Sequence, residues 1–181
     1  MLTQEILVQA YINECETQNV YDMYAYVARK EGYIKIAQLF EEFALHELSH
    51  AKNLLKFIDN SHIECTLQCS LPQISTTLAN IKNAIRIEST DAITYLEYSN
   101  RAKVEGHTKI AAKFKTIAIA EEFHKKQFEK LAFQLENNMY FYSNVPIEWY
   151  CIKCGYVHFG ESAPHECPAC NHLQGYFTQV L

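Results

Sequence analysis

Glu47-Leu48-Ser49-His50 returns 74 positions later as Glu121-Glu122-Phe123-His124, and the chain around both copies repeats at the same offset. An acid, Glu14 or Glu88, stands 33 residues before the glutamate of each motif, and a glycine, Gly32 or Gly106, lies between them. Tyr21/Tyr95, Tyr24/Tyr98, Lys35-Ile36-Ala37/Lys109-Ile110-Ala111, Phe40/Phe114 and Ala44/Ala118 also match, with nothing inserted. A Glu and a His three residues apart share one helix face, with Cβ atoms roughly 5–6 Å apart, so both can reach one ion from the same side. A single Glu-x-x-His is weak, because both residues are common on solvated helix faces. Two copies at a fixed offset, each with an acid upstream, form the ligand list of a di-metal carboxylate bundle.

The spacing of apolar residues supplies the helices that this list requires. Ile6, Leu7, Ala10 and Tyr11, then Val20, Tyr21, Tyr24, Val27 and Ala28, predict a first helix over 4–30. Gly32 stands where a helix stops, with Arg29 and Lys30 in the last turn. Further helices are predicted over about 34–58, about 75–104 up to Gly106, and about 108–136, with Pro72 near the first turn of the third. Two connections are short, and one, over 59–74, is long and polar with Asp59, Asn60, Ser61, Ser70 and Pro72. Two antiparallel hairpins joined by a crossover give the connectivity of a ferritin-like four-helix bundle. The fold class is therefore mainly α. Duplication predicts a pseudo-two-fold axis on which the ligands meet.

The bland alternative is a duplicated surface motif. It conflicts with the neighbourhood: Phe43 and Ala44 share the stripe of Glu47, and Ile117 and Ala118 that of Glu121. Acids on an apolar stripe cost several kcal/mol each when unpaired, and a cation is the usual remedy. Carboxylates with imidazole suit iron or manganese and would also accept zinc. The repeat breaks where Thr17 corresponds to Asp91, so one half carries a further acid and the two metal positions should differ. Tyr21 and Tyr95, two turns beyond Glu14 and Glu88, either hydrogen-bond ligand carboxylates or simply pack in the core. Cys15 should point elsewhere and act as a small apolar residue.

After residue 150 the composition changes. Three of the 5 Gly and two of the 4 Pro lie there, together with Cys151-Ile152-Lys153-Cys154 and Cys167-Pro168-Ala169-Cys170. Two such pairs bring four thiolates to one ion, either zinc or a single iron. The domains expected are a bundle over 1–137, a linker over 138–148 and a small four-cysteine domain over 149–181. Seven cysteines, an odd number, argue against a disulfide framework; Cys65 and Cys69 are the remaining two.

A net charge of −5 gives no reason to expect nucleic acid or an anionic membrane as partner. Met1-Leu2-Thr3-Gln4-Glu5 has an acid where a signal peptide would be basic. The longest uncharged stretch, from Cys65 to Ile81, is too polar to span a bilayer. A cytoplasmic location is expected.

Together these motifs resemble the rubrerythrin family, a ferritin-like di-iron bundle followed by a rubredoxin-like metal domain with four cysteine ligands. The resemblance covers nearly the whole chain. It is carried most specifically by Lys30-Glu31-Gly32-Tyr33, Glu47-Leu48-Ser49-His50-Ala51-Lys52, Ala118-Ile119-Ala120-Glu121-Glu122-Phe123-His124 and Trp149-Tyr150-Cys151-Ile152-Lys153-Cys154-Gly155-Tyr156-Val157-His158, closed by Cys167-Pro168-Ala169-Cys170. It implies two Fe ions held by Glu14, Glu47, Glu88, Glu121 and His124. In the family an extra carboxylate, at the position of Asp91, exchanges on one iron with the imidazole matching His50, and the resemblance implies the same pair here. Here that acid is an Asp where the family has Glu, and Asn13-Glu14-Cys15 replaces the family's Gly-Glu-Ser. Cys151, Cys154, Cys167 and Cys170 would hold one Fe, with Zn as the alternative.

The resemblance further implies a peroxidase that reduces hydrogen peroxide to water in oxidative stress defence. Its electrons would be relayed through the four-cysteine centre from a donor such as rubredoxin or an NAD(P)H-dependent reductase, in a homodimer. Two alternatives use the same residues. One is a di-iron oxidase or ferroxidase acting on O2 and Fe2+; the other is a structural metal-binding protein with zinc in the tail.

Overall fold

The computed structural model describes residues 3–59 and 72–179. Cys65, Cys69 and most of the long polar connection lie outside the described residues. Four helices come first, α1 (Thr3–Lys30), α2 (Ile34–Leu55), α3 (Thr77–Val104) and α4 (Thr108–Glu136). Three strands follow: β1 (Tyr142–Cys151), β2 (Val157–Ser162) and β3 (Phe177–Gln179). None of the described helices is long and apolar enough to cross a membrane.

Both hairpin turns are built alike, as duplication requires. Gly32 and Gly106 each adopt φ +86°, a left-handed conformation that costs glycine little. The amide of Tyr33 reaches back to the carbonyl of Ala28, and that of His107 to Ala102, each at 2.8 Å. Gly32 and Gly106 donate to Arg29 and Lys103. This pattern closes the otherwise unpaired carbonyls of a helix end.

The third helix begins later than its sequence pattern predicts. Thr76 caps it, its side chain accepting from the amide of Ala79. Asn80 and the Ser75 backbone exchange two hydrogen bonds of 2.8 and 2.9 Å. Pro72 therefore precedes the helix by five residues and does not form its first turn. The second helix stops at Leu55, where the amides of Phe57 and Ile58 turn to carbonyls three residues back.

The ends of α1 and α3 meet in opposite senses. Thr3 binds Glu105 through its amide and hydroxyl, and Glu31 accepts from the amide of Thr77. Thus α3 starts at the opposite end of the bundle from where α2 stops, which is the ferritin-like arrangement.

Two apolar clusters fill the bundle. Tyr21, Tyr24, Phe40, Phe43 and Phe128 form one, toward the α1–α2 turn; Ile6, Leu7, Leu54, Tyr95, Phe114 and Ile117 form the other. The four motif glutamates lie along the helices between these plugs.

The strands form an antiparallel sheet in the order β2-β1-β3. Residues 142–148 of the stretch read as a linker belong to β1. Pairing with β2 is irregular between Tyr142 and Ile147, the segment that contains Pro146, which cannot donate to a ladder. Trp149, Cys151, Ala163, Cys167 and Phe177 make the small core.

The tail also docks on the bundle of its own chain. Tyr33 packs against Tyr140 and Phe141 at ring-centroid distances of 5.4 and 5.9 Å. Gly175 sits so close to Gly32 that a Cβ there would lie 1.8 Å from the Gly32 carbonyl oxygen. Gly175→Ala should therefore lower stability by about 1–3 kcal/mol, the usual cost of overpacking. Thermal unfolding and amide exchange at 32–33 and 139–141 read this directly. Unchanged exchange at those amides would show that the docking is not held by this contact.

Candidate metal centres

Four glutamates enter the bundle interior, one from each helix. Glu14, Glu47, Glu88 and Glu121 are only 1–2% exposed, and His124 is 2% exposed. Burial of four carboxylates at once is unfavourable by several kcal/mol per charge unless each finds compensation. Their arrangement shows the form that compensation takes.

Two groups of donors form, and they overlap. Glu14, Glu47, His50 and Glu121 bring one ligand atom each within 4.8 Å of one another, and so do Glu47, Glu88, Glu121 and His124. Nδ1 of His50 lies 3.2 Å from oxygens of Glu47 and Glu121 and 3.5 Å from Glu14. Nδ1 of His124 lies 3.2 Å from oxygens of Glu47 and Glu121 and 3.5 Å from Glu88. Glu47 and Glu121 turn one oxygen to each histidine, so they are common to both groups, while Glu14 and Glu88 each serve one.

These spacings fit ions better than protons. Ligands 2.0–2.2 Å from a shared ion lie roughly 2.9–3.5 Å apart, the range found here. Oε1 of Glu14, Glu47 and Glu121 and Nδ1 of His124 are buried without a hydrogen-bond partner. Native interiors seldom leave such atoms unsatisfied. Carboxylate and imidazole donors suit iron, manganese or zinc.

Without metal, protons carry the compensation. Burial, reinforced by neighbouring Glu47, pushes Glu14 well above the ordinary carboxylate value. Glu88 is likewise raised, by burial and by the charges of Glu121 and Glu47. Burial opposes the charge on Glu47 too, but its contacts with Glu14, His124 and His50 outweigh it and hold this carboxyl down. Burial also opposes charge on both histidines. The facing carboxylates win, raising His50 strongly and His124 to about 11.

The hydroxyl of Tyr21 donates to Oε1 of Glu88, so the tyrosine of the first hairpin supports the acid of the second. Tyr95, equally buried, instead accepts from Nδ2 of Asn13 at 3.2 Å. Asp91 belongs to neither donor group. Burial raises it to about 7, and Asn13 is its hydrogen-bonding neighbour. Its side chain is one methylene shorter than Glu, and it lines a cavity of about 620 Å³ between α1 and α3 with Asn13 and Thr17. Cys15 is half-buried, with Tyr11 as its hydrogen-bonding neighbour.

One residue escaped the sequence analysis. His46 places Nδ1 3.1 Å from Nε2 of His124. Burial, helped by nearby His124, holds His46 below the ordinary histidine value. Its signal was a break in the repeat, since the position 74 residues on is Ala120.

In the tail, Cys151, Cys154, Cys167 and Cys170 converge within the same 4.8 Å limit. Sγ–Sγ distances of 3.6 Å (Cys154–Cys167) and 3.9 Å (Cys151–Cys170) match the roughly 3.8 Å expected of thiolates around a tetrahedral ion. Each pair sits in the same loop. Gly155 and Asn171 take φ +83° and +60° and donate to the carbonyls of Cys151 and Cys167 at 2.9 and 2.8 Å.

Comparison with known proteins agrees with this construction. The family profile described as Rubrerythrin matches residues 5–75 and again 79–149, once per hairpin. That described as Rubrerythrin, rubredoxin-like domain matches 149–178. Rubrerythrin-1 of Clostridium acetobutylicum is 35% identical over 97% of this chain and 92% of its own. A partially reduced nigerythrin structure superposes with a TM-score of 0.68 at 24% identity, covering 99% of this chain and 87% of its own. Desulfovibrio desulfuricans bacterioferritin reaches 0.70 at 18% identity over 76% of this chain and 81% of its own. The last two show likeness of fold.

The overlap of the donor groups predicts unequal losses. Glu121→Ala should abolish uptake of both bundle ions, whereas Glu14→Ala or Glu88→Ala should each leave one, with the tail ion retained throughout. Elemental analysis after anaerobic Fe2+ loading reads the stoichiometry, and two bundle ions in Glu121→Ala would refute the shared role. Because the facing carboxylates push His124 up to about 11, ligation has to displace a proton. Fe2+ uptake should release protons and weaken as pH falls; a titration in weak buffer with no acid release would contradict this.

Proposed function

The chain belongs to the rubrerythrin family, and on that footing we propose that it is a non-haem di-iron peroxidase that reduces hydrogen peroxide to water. Glu14, Glu47, Glu88, Glu121, His50 and His124 would hold the iron pair; the four cysteines would hold a third iron that relays electrons. The observation that carries this reading is the sharing of Glu47 and Glu121 between two donor groups, in a chain that also carries a four-thiolate centre. When bound, a ferrous pair supplies the two electrons that cleave the O–O bond, which with two protons gives two molecules of water.

The protein's own part is positional. The apolar plugs on either side of the carboxylates keep bulk water from the charged layer, which strengthens every charge interaction within it. The hydroxyl of Tyr21 fixes the orientation of the Glu88 carboxylate. His50 borders a cavity of about 200 Å³ with Asn53, Lys113, Thr116 and Ile117. That space suits a molecule as small as peroxide, and its polar groups can hydrogen-bond to it. Asp91 remains outside this ligand set in the proposal.

The tail is anchored at the α1–α2 turn, and the stretch of α1 from Glu14 to Lys30 spans roughly 24 Å. Electron transfer weakens steeply with distance, so that span favours a relay from the tail of a second copy, and the protein would work as a homodimer. A reductase or small redox carrier would recharge it. An attached one-electron relay serves repeated turnover with an external reductant, which iron storage does not require.

Stopped-flow mixing of the anaerobically reduced full chain with peroxide should oxidise the bundle faster than mixing with O2. The reverse order would make the protein an oxidase. Cys170→Ala should retain this single oxidation but lose steady-state peroxide consumption with an added reductase, measured as NAD(P)H oxidation. Undiminished turnover in that variant would remove the tail from the electron path.

A further inference from the structure

The two motif histidines, His50 and His124, are related by the internal repeat, yet their outward nitrogens meet different surroundings. Both turn Nδ1 to the carboxylates. Nε2 of His124 lies 3.1 Å from Nδ1 of His46. The two rings are nearly parallel, 15° apart with centroids at 5.2 Å, and Phe43 stacks on both, at 4.2 Å from His124 and 5.6 Å from His46. His46 is thus clamped by an aromatic neighbour with a nitrogen aimed at the ligand ring. In the other half the corresponding residue is Ala120, which has no polar side-chain atom, and His50 adjoins the cavity beside Lys113.

An imidazole can ligate through Nδ1 only when that nitrogen is free of its proton. In neutral His124 the proton must then reside on Nε2, and a fixed acceptor at Nε2 selects this tautomer and ring orientation. We propose that His46 is a positioning residue for the ion on the His124 side, accepting the Nε2–H of His124 and so presenting Nδ1 to the metal. It rests on the di-metal reading of the bundle and goes beyond it by making one of the two metal positions more firmly held than its twin. The ion beside His50 has no such support from the residue at the equivalent position.

Anaerobic calorimetric titration of the full chain with Fe2+, its tail site already filled, tests this. Wild type should show two bundle steps. His46→Ala should weaken one step about 10- to 100-fold, the usual effect of removing a partner behind a ligand, and leave the other unchanged. His46→Gln, whose amide oxygen can accept from the same N–H, should recover most of the loss. In the Zn2+-loaded full chain, 15N spectra should show the Nε2 proton of His124 protected in wild type and His46→Gln, and rapidly exchanging in His46→Ala. Equal affinity in all three proteins, equal weakening of both steps, or a Gln variant as weak as Ala would overturn the role of His46. If His46→Ala fails to fold, the Gln variant and the wild-type spectrum decide. A wild-type bundle that takes up no Fe2+ would instead bring down the di-metal reading itself.

Discussion

Everything in the bundle is arranged around four carboxylates that water does not reach. Left alone they would repel one another and oppose folding, because a buried charge without compensation costs several kcal/mol. Two imidazoles, each facing three carboxylate oxygens at 3.2–3.5 Å, turn this liability into two cages with common walls. In the metal-free state protons balance the charge; on ligation, ions take their place. The apolar plugs above and below gain their purpose from this layer: they make it dry, and dryness makes it strong.

Duplication explains why the layer is nearly symmetric, and the departures from it are where the chemistry becomes specific. Thr17 and Asp91 occupy equivalent positions, as do His46 and Ala120, and Asn13 and Ile87. These exchanges fall in different places. Asn13 and Asp91 sit beside the groove between α1 and α3, whereas His46 faces Nε2 of His124. Two positions built from one template have thus acquired different surroundings without any change in the shared ligands.

The four-cysteine domain is more than an appendage on a tether. Close approach of Gly175 to Gly32 and the packing of Tyr33 against Tyr140 and Phe141 fix it to the α1–α2 turn. The stretch read as a linker contributes most of a strand, so the tail leaves the bundle along a short ordered path. Docking at that end separates the thiolate centre of a chain from its own carboxylates by much of a helix length.

The sequence by itself determined the helix count, the two glycine turns, the crossover connection, the glutamates and histidines of the two motifs and the four thiolates. It could do so because helix periodicity and a repeated ligand spacing are local properties, and duplication displayed each of them twice. Only the tertiary structure decided that Glu47 and Glu121 serve both groups, that Tyr21 crosses to Glu88 while Tyr95 turns to Asn13, and that Asp91 stands apart. It alone brought His46 behind His124 and seated Gly175 on Gly32. Those are contacts between elements far apart in the chain, set by how helices rotate and slide as their apolar faces pack. No spacing within one helix encodes that rotation.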